Sequence, residues 1–165
     1  MNLRIEYIGR TESDTAWLVD ALDGAGQSST VQFRRIDDAE EFDLPEDLPS
    51  IDVRVIDRRI GESLTELLLD VLTVADPSVP LLIAAQSDID KDLIRYVSRG
   101  AEDILRIGED TSERVAWSLR FAIDRHELLR VTQSAESRIR SVVEHLREGV
   151  VILDEAGRVM YANPA

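Results

Sequence analysis

Asp57 is the residue whose position most clearly suggests chemistry, because it ends the apolar stretch VRVID at residues 53–57. The β-branched neighbours of Asp57 predict a buried strand with the carboxylate at its mouth. A carboxylate in that position can accept a phosphoryl group, bind a metal ion or simply end the strand. The choice depends on the side chains that neighbouring strand ends bring to Asp57.

Short strand-like stretches alternate with helical patterns along the first two thirds of the chain. The acidic stretch 37–50 contains two prolines and leaves room for at most one helical turn. This alternation predicts a flavodoxin-like α/β fold, a doubly wound parallel sheet of five strands in the order 2-1-3-4-5. The predicted strands are residues 3–8, 29–36, 51–57, 79–85 and 102–107, and the predicted helices are residues 11–22, 62–75 and 88–100.

A further helical pattern begins near Thr111 and continues beyond the length that such a domain needs, which predicts an extended C-terminal helix. Apolar and small residues follow at intervals of 4, 3, 4, 3 and 4, the heptad of a coiled coil. This seam predicts a homodimer through the helix, and a single amphipathic helix lying on its own domain is the alternative. The seam positions are Leu128, Thr132, Ala135, Ile139, Val142 and Leu146.

The last stretch, residues 148–165, has the pattern of two short strands joined by an Asp-Glu-Ala-Gly turn. A hairpin of this size is not stable alone in water, so we expect it to be the N-terminal fragment of another domain. The predicted organisation is a domain over residues 1–122, a helical linker over 123–147 and this fragment over 148–165.

The composition excludes several classes of function. The chain has 33 acidic and 19 basic residues, for a formal charge of −14, and Lys91 is its only lysine. Such a surface repels nucleic acids and anionic membranes, so neither is an expected partner. The charge favours a halophilic, haloarchaeal protein, because high salt screens carboxylate repulsion. An ordinary acidic surface, or a GC-rich genome that favours arginine, is the alternative.

The residue types also limit the possible cofactors. The chain has no cysteine, only two histidines and no phosphate-binding glycine motif. We therefore expect no cofactor and no metal site, and we interpret His126 and His145 as surface residues. No apolar stretch approaches the roughly 18 residues of a membrane span, and the N-terminus lacks a signal peptide, which predicts a cytoplasmic protein.

Three strings, taken in order, resemble the receiver domain of response regulators over about residues 1–125. IDVRVID resembles the third strand of a receiver with its phosphoacceptor. The string SLTELLLDVLTVADPSVPLLIAA resembles the helix and strand that follow, and SRGAEDIL resembles the passage into the fifth strand. The tail EGVVILDEAGRVMYANPA resembles the opening of a PAS sensory domain. A receiver, a signalling helix and a PAS domain in this order occur in sensor histidine kinases and related regulators.

The receiver resemblance implies that Asp57 is the phosphoacceptor position and that Mg²⁺ assists the transfer. The acidic pair that holds Mg²⁺ in receivers matches Gly9 and Arg10 here, and an arginine repels the cation. The strand-four hydroxyl matches Ala85 and the strand-five lysine matches Ile107. The switch aromatic of strand five matches Ile104.

These departures favour a non-catalytic pseudo-receiver that relays a signal from a protein partner through the helix to a PAS domain. The alternative is a receiver that accepts a phosphoryl group from a histidine kinase on Asp57, with Glu12, Asp14 or Ser87 replacing the missing partners. A flavodoxin-like enzyme or ligand binder is a more distant interpretation. We further expect Arg10 to pair with Asp57 in the space of the metal and the phosphoryl group.

Overall fold

The structure is a computed structural model that describes residues 2–38, 50–86, 93–144, 151–154 and 156–162. It divides into two compact units, Met1–His126 and Glu127–Ala165. None of the described helices is long and apolar enough to cross a membrane.

A sheet of five parallel strands forms the centre of the first unit, in the order β2-β1-β3-β4-β5. The flavodoxin-like fold and the strand order predicted from the sequence are confirmed. Gly9 ends β1 and pairs with Arg35 of β2, and Asp57 pairs with Ala84 of β4, so these residues lie near the carboxyl edge of the sheet. The strands are β1 (Leu3–Gly9), β2 (Ser29–Arg35), β3 (Val53–Asp57), β4 (Leu81–Ala85) and β5 (Ala101–Arg106).

The first helix begins differently from the prediction. The chain first forms a 3-10 turn over Glu12–Thr15, because Thr11 and Asp14 make a reciprocal capping box. The described helices are α1 (Ala16–Gly24), α2 (Glu62–Ala75), α3 (Leu93–Ser98) and α4 (Ser112–Glu144). Residues 39–49 of the acidic stretch lie outside the described residues. So do residues 87–92, which include the start of the helix predicted at residues 88–100.

The alternation along each strand divides the core between the two faces of the sheet. On one face, Ile5, Tyr7 and Val55 pack with Leu18 of α1 and Leu119 of α4. The other face packs mainly against α2 and α3 and includes Ile8, Ile56 and Ile83 together with Leu68, Leu69, Leu72 and Tyr96. Asp57 shares the Tyr7 face because the register pairs Tyr7 with Val55, two residues before Asp57.

The second unit contains the end of α4 and an antiparallel hairpin of β6 (Val151–Leu153) and β7 (Val159–Ala162). The Asp154 carboxylate accepts hydrogen bonds from the backbone N–H groups of Ala156 and Arg158, each at 2.9 Å, which fixes the turn. Leu128 of the predicted seam is exposed. Positions 132, 135, 139 and 142 are helical, but their side chains, and residues 145, 146 and 163–165, lie outside the description.

Candidate functional site at the end of the third strand

The Asp57 carboxylate is fully buried and accepts hydrogen bonds on both oxygens. Its Oδ1 atom accepts from the backbone N–H of Arg59 at 2.9 Å, and its Oδ2 atom accepts from the Tyr7 hydroxyl at 2.6 Å. Because a buried carboxylate is costly without donors or a cation, these contacts explain how Asp57 remains in the interior.

Arg59 supplies the cation that neutralises Asp57. Its Nε atom lies 3.0 Å from both carboxylate oxygens, and its Nη2 atom donates to Oδ2 at 2.6 Å. A 3-10 turn over Arg58–Ile60 directly follows β3 and folds the Arg59 side chain back onto the strand end. Hydrogen bonds to Asp57 raise the pKa of Arg59, so the guanidinium remains charged.

Tyr7 approaches Asp57 from the neighbouring strand β1. Its hydroxyl donates to Asp57 and also accepts a hydrogen bond from Trp17 Nε1 at 3.2 Å. Burial and the adjacent Asp57 charge raise the pKa of Tyr7, which keeps the phenol protonated and able to donate. A chain of polar contacts therefore joins α1, β1 and β3 below the carboxyl edge.

Asp14 binds the outer side of the same guanidinium. Arg59 Nη1 lies 3.2 Å from Asp14 Oδ1, and the Arg59 side chain is 37% exposed while Asp57 is fully buried. The arginine thus bridges two carboxylates and separates Asp57 from the solvent.

The predicted pair of Arg10 with Asp57 is wrong in its choice of arginine. Arg10 Nη2 donates to the backbone carbonyl of Ile60 at 3.0 Å, whereas Arg59 makes the ion pair with Asp57. The physical reason is proximity: the tight turn after β3 places Arg59 two residues from the carboxylate, and Arg10 must reach from another strand.

Most of the other predicted site residues lie near the same edge of the sheet. Ala85 is buried at the end of β4, and its carbonyl accepts a hydrogen bond from the backbone N–H of Ile107 at 2.8 Å. Ile104 packs in the core within β5. Gly9 lies against aromatic rings, since a Cβ atom added there would be 3.2 Å from Tyr7 Cε1 and 3.4 Å from Phe33 Cε2.

These residues do not fit a magnesium ion. Mg²⁺ prefers several oxygen ligands in near-octahedral geometry. The carboxylates nearest the position, those of Asp57 and Asp14, both bind the Arg59 guanidinium, and Gly9 and Arg10 contribute no carboxylate. Within the described part of the chain, no group of three or more His, Asp and Glu residues is arranged to hold a metal ion.

Sequence reasoning missed Tyr7, Trp17 and Arg59. Tyr7 could have been predicted, because this residue follows Leu3 and Ile5 on one face of β1 and precedes Gly9 by two residues. Arg59 is visible in the string DRRIG, but the conformation of the turn decides which of its two arginines faces Asp57.

The fold of the first unit is that of response-regulator receiver domains. A response regulator receiver domain protein from Clostridium thermocellum is similar, with a TM-score of 0.57, 18% identity and coverage of 77% of this chain and 98% of that one. A response regulator from Thermotoga maritima has a TM-score of 0.55 and 16% identity over 75% of this chain and 99% of that one.

NtrX from Brucella abortus, solved in complex with ADP, has a TM-score of 0.59 and 13% identity over 88% of this chain. This chain spans 35% of the NtrX chain. At these identities, the likeness establishes the fold alone. The PAS domain family matches residues 137–165. No curated protein matches the sequence.

Proposed function

We propose that this chain carries a non-catalytic pseudo-receiver of two-component-type signal transduction. In this proposal, residues 1–122 bind a signalling protein, and residues 123–147 transmit the change to a PAS domain that begins at residue 148. The observation that carries the proposal is the occupation of the Asp57 carboxylate by Arg59 and Tyr7.

Phosphoryl transfer to Asp57 needs an oxygen atom that can attack phosphorus and a cation that can bind the incoming phosphoryl oxygens beside the carboxylate. Oδ1 and Oδ2 both accept hydrogen bonds from groups of the protein itself. The guanidinium that neutralises them is tethered two residues away and already contacts both Asp57 and Asp14. Both features oppose attack by Asp57 and support a role in protein–protein signalling.

The proposal includes a homodimer through the C-terminal helix. Leu128, Leu129 and Val131 of α4 are 67%, 47% and 58% exposed, which leaves apolar surface for a second helix. The heptad spacing of the seam favours a coiled-coil partner over contact with lipid or nucleic acid. The match of the PAS family to residues 137–165 supports the helix as a connector rather than a terminus.

The proposal also places the protein in a cytoplasm of high salt concentration. The support is the net charge of −14 together with the near absence of lysine. Carboxylates outnumber the basic groups that could pair with them, and salt relieves the remaining repulsion.

The alternative function is a working receiver that accepts a phosphoryl group on Asp57. The observation in its favour is the proximity of two carboxylates, Asp57 and Asp14, which both contact Arg59. Displacement of Arg59 would leave two oxygen donors facing one space, as a divalent cation requires.

Intact-mass analysis separates the two functions. The full chain is incubated in high salt with acetyl phosphate and Mg²⁺, beside Asp57→Asn and beside a receiver domain that accepts phosphate under the same conditions. We expect the wild-type mass to remain unchanged while the reference receiver gains one phosphoryl group. A gain in the wild-type chain that disappears in Asp57→Asn would establish the alternative.

A further inference from the structure

His126 is the last packed residue of α4 in the first unit, at a position where the helical pattern predicts an apolar side chain. Val115, Leu119 and Ala122 are buried at helical spacing on the face that packs against the sheet. His126 continues this spacing by one turn, and its side chain is 23% exposed. The next residues, from Glu127 to Val131, are exposed.

Both ring nitrogens of His126 meet oxygen atoms of the domain. The Nε2 atom lies 2.9 Å from the backbone carbonyl of Pro77, and the Nδ1 atom lies 3.3 Å from Glu102 Oε1. Arg125, the preceding residue, approaches the other Glu102 oxygen at 3.5 Å. The end of the packed helix is thus attached to the turn before β4 and to the start of β5, and we term these contacts the His126 clamp.

The turn that receives the clamp is itself attached to the centre of the sheet. The Asp76 carboxylate accepts a hydrogen bond from the Ser78 hydroxyl at 2.7 Å and lies 2.8 Å from Arg54 Nη1. The second contact has the distance of an ion pair but not the angle of a hydrogen bond. Burial raises the pKa of Asp76, but Ser78 and Arg54 together lower it below its usual value, so the carboxylate stays charged.

Arg54 carries this connection into the interior. Its side chain is completely buried in β3, and its Nε atom donates to Glu6 Oε2 on β1 at 2.5 Å. Arg34 on β2 donates to the other Glu6 oxygen at 2.5 Å. Within the described residues, the Arg54 Nη2 atom has no hydrogen-bond partner. Ionic contacts therefore run from β2 through β1 and β3 to the turn that holds His126.

We propose that His126 is a positioning residue that fixes where α4 leaves the receiver-fold domain, with the Asp76–Ser78 turn as its anchor. An apolar residue at 126 would pack in many orientations, whereas the clamp holds only when Pro77 and Glu102 are both in place. A change in the Asp76–Ser78 turn then alters the position of α4 where it leaves the domain. The inference deepens the proposed function, because it rests on α4 relaying a signal.

Hydrogen–deuterium exchange of the full chain in high salt tests the clamp. We expect His126→Ala to speed exchange of the amides from Ala122 to Arg130 by about fivefold, as the loss of one or two hydrogen bonds implies. The same change is expected, to a smaller extent, in Glu102→Gln and Asp76→Asn, which weaken the clamp from the side of the domain. Glu127→Ala is the matched control, since it alters the adjacent exposed position of the same helix.

Three results would overturn the inference. One is equal exchange in His126→Ala and Glu127→Ala. Another is faster exchange spread evenly over the strands, which would make His126 a general stabilising residue. The third applies if His126→Ala does not fold: unchanged α4 exchange in Glu102→Gln then overturns the inference. Phosphoryl transfer to Asp57 in the mass assay would refute the proposed function, whereas the exchange comparison uses only unphosphorylated chains and tests the clamp by itself.

Discussion

The Tyr7 hydroxyl lies 2.6 Å from the Oδ2 atom of Asp57, and Arg59 Nη2 lies at the same distance from that oxygen. A donor from strand β1 and a donor from the turn after β3 therefore share one oxygen of a buried carboxylate. A phenol on one side and a guanidinium on the other give Asp57 the surroundings of a structural ion pair, and each donor can be tested separately.

Removal of Arg59 should destabilise the domain by leaving a buried charge without a cation. We expect Arg59→Ala to lower the free energy of unfolding by about 3 kcal/mol. The double variant Arg59→Ala/Asp57→Asn should recover much of this loss, because the neutral amide no longer needs a cation. Urea unfolding of the four forms in a double-mutant cycle measures the coupling.

Arg58→Ala is the matched control for that cycle. Arg58 is adjacent in sequence and donates to the Tyr96 hydroxyl at 3.0 Å rather than to Asp57, so its loss should show no coupling to Asp57→Asn. Additive effects of the Arg59 and Asp57 substitutions would show that the ion pair contributes nothing to stability.

The pH dependence at the alkaline end should report on Tyr7. Its pKa is raised by burial and by Asp57, so the folded state favours the neutral phenol. The corresponding stability is present below the pKa of an unfolded tyrosine, about 10, and is lost as the pH rises above it. We expect absorbance at 295 nm to show one tyrosine of the wild type that ionises only above this pH, together with unfolding. That ionisation should be absent from Tyr7→Phe. A Tyr7 that ionises near pH 10 in the folded protein would contradict the buried hydrogen bond.

The seam should determine the oligomeric state. Ile139→Asp would place two carboxylates against each other in a parallel dimer, and we expect sedimentation velocity in high salt to show a shift from dimer to monomer. Ser137→Asp adds the same charge to the same helix away from the seam and should leave the dimer intact. A wild-type chain that sediments as a monomer at all concentrations would refute the dimer.

Salt should stabilise the fold. We expect the melting temperature to be higher in 2 M KCl than in 0.1 M KCl, because the screening length falls from about 10 Å to a few ångströms. The exposed pairs between α2 and α3, such as Arg95 with Glu62, weaken under the same screening, so a gain would come from relief of carboxylate repulsion. Equal melting temperatures at the two concentrations would rule out the adaptation.

The sequence allowed the fold to be predicted because each strand has a hydrophobic pattern that local reasoning can detect. Leu81 to Ala85 is apolar throughout and is buried throughout, and Asp57 ends its strand as expected. The partner of Asp57 could not be predicted in the same way. Arg10 and Arg59 have the same chemistry, and only the 3-10 turn after β3 decides which one reaches the carboxylate.

The buried charge of Arg54 shows the same limit of prediction from local sequence patterns. Its place between Val53 and Val55 predicts a strand, but the strand pattern cannot indicate that Glu6 and Asp76 lie close enough to neutralise it. The two acids come from another strand and from a turn, so their approach depends on the packed sheet. Patterns along one strand identify which face is buried, and contacts between strands decide how a charge on that face is accommodated.

The hydrogen bond from Trp17 to Tyr7 gives the protein an optical reporter of its own candidate site. The chain has two tryptophans, and Trp117 is 56% exposed and stacked on Phe121, so iodide should quench it selectively. A Trp117→Phe chain would then fluoresce from Trp17 alone. Its emission would follow any rearrangement around Tyr7 and Asp57 in real time, without a label, as a partner protein is added.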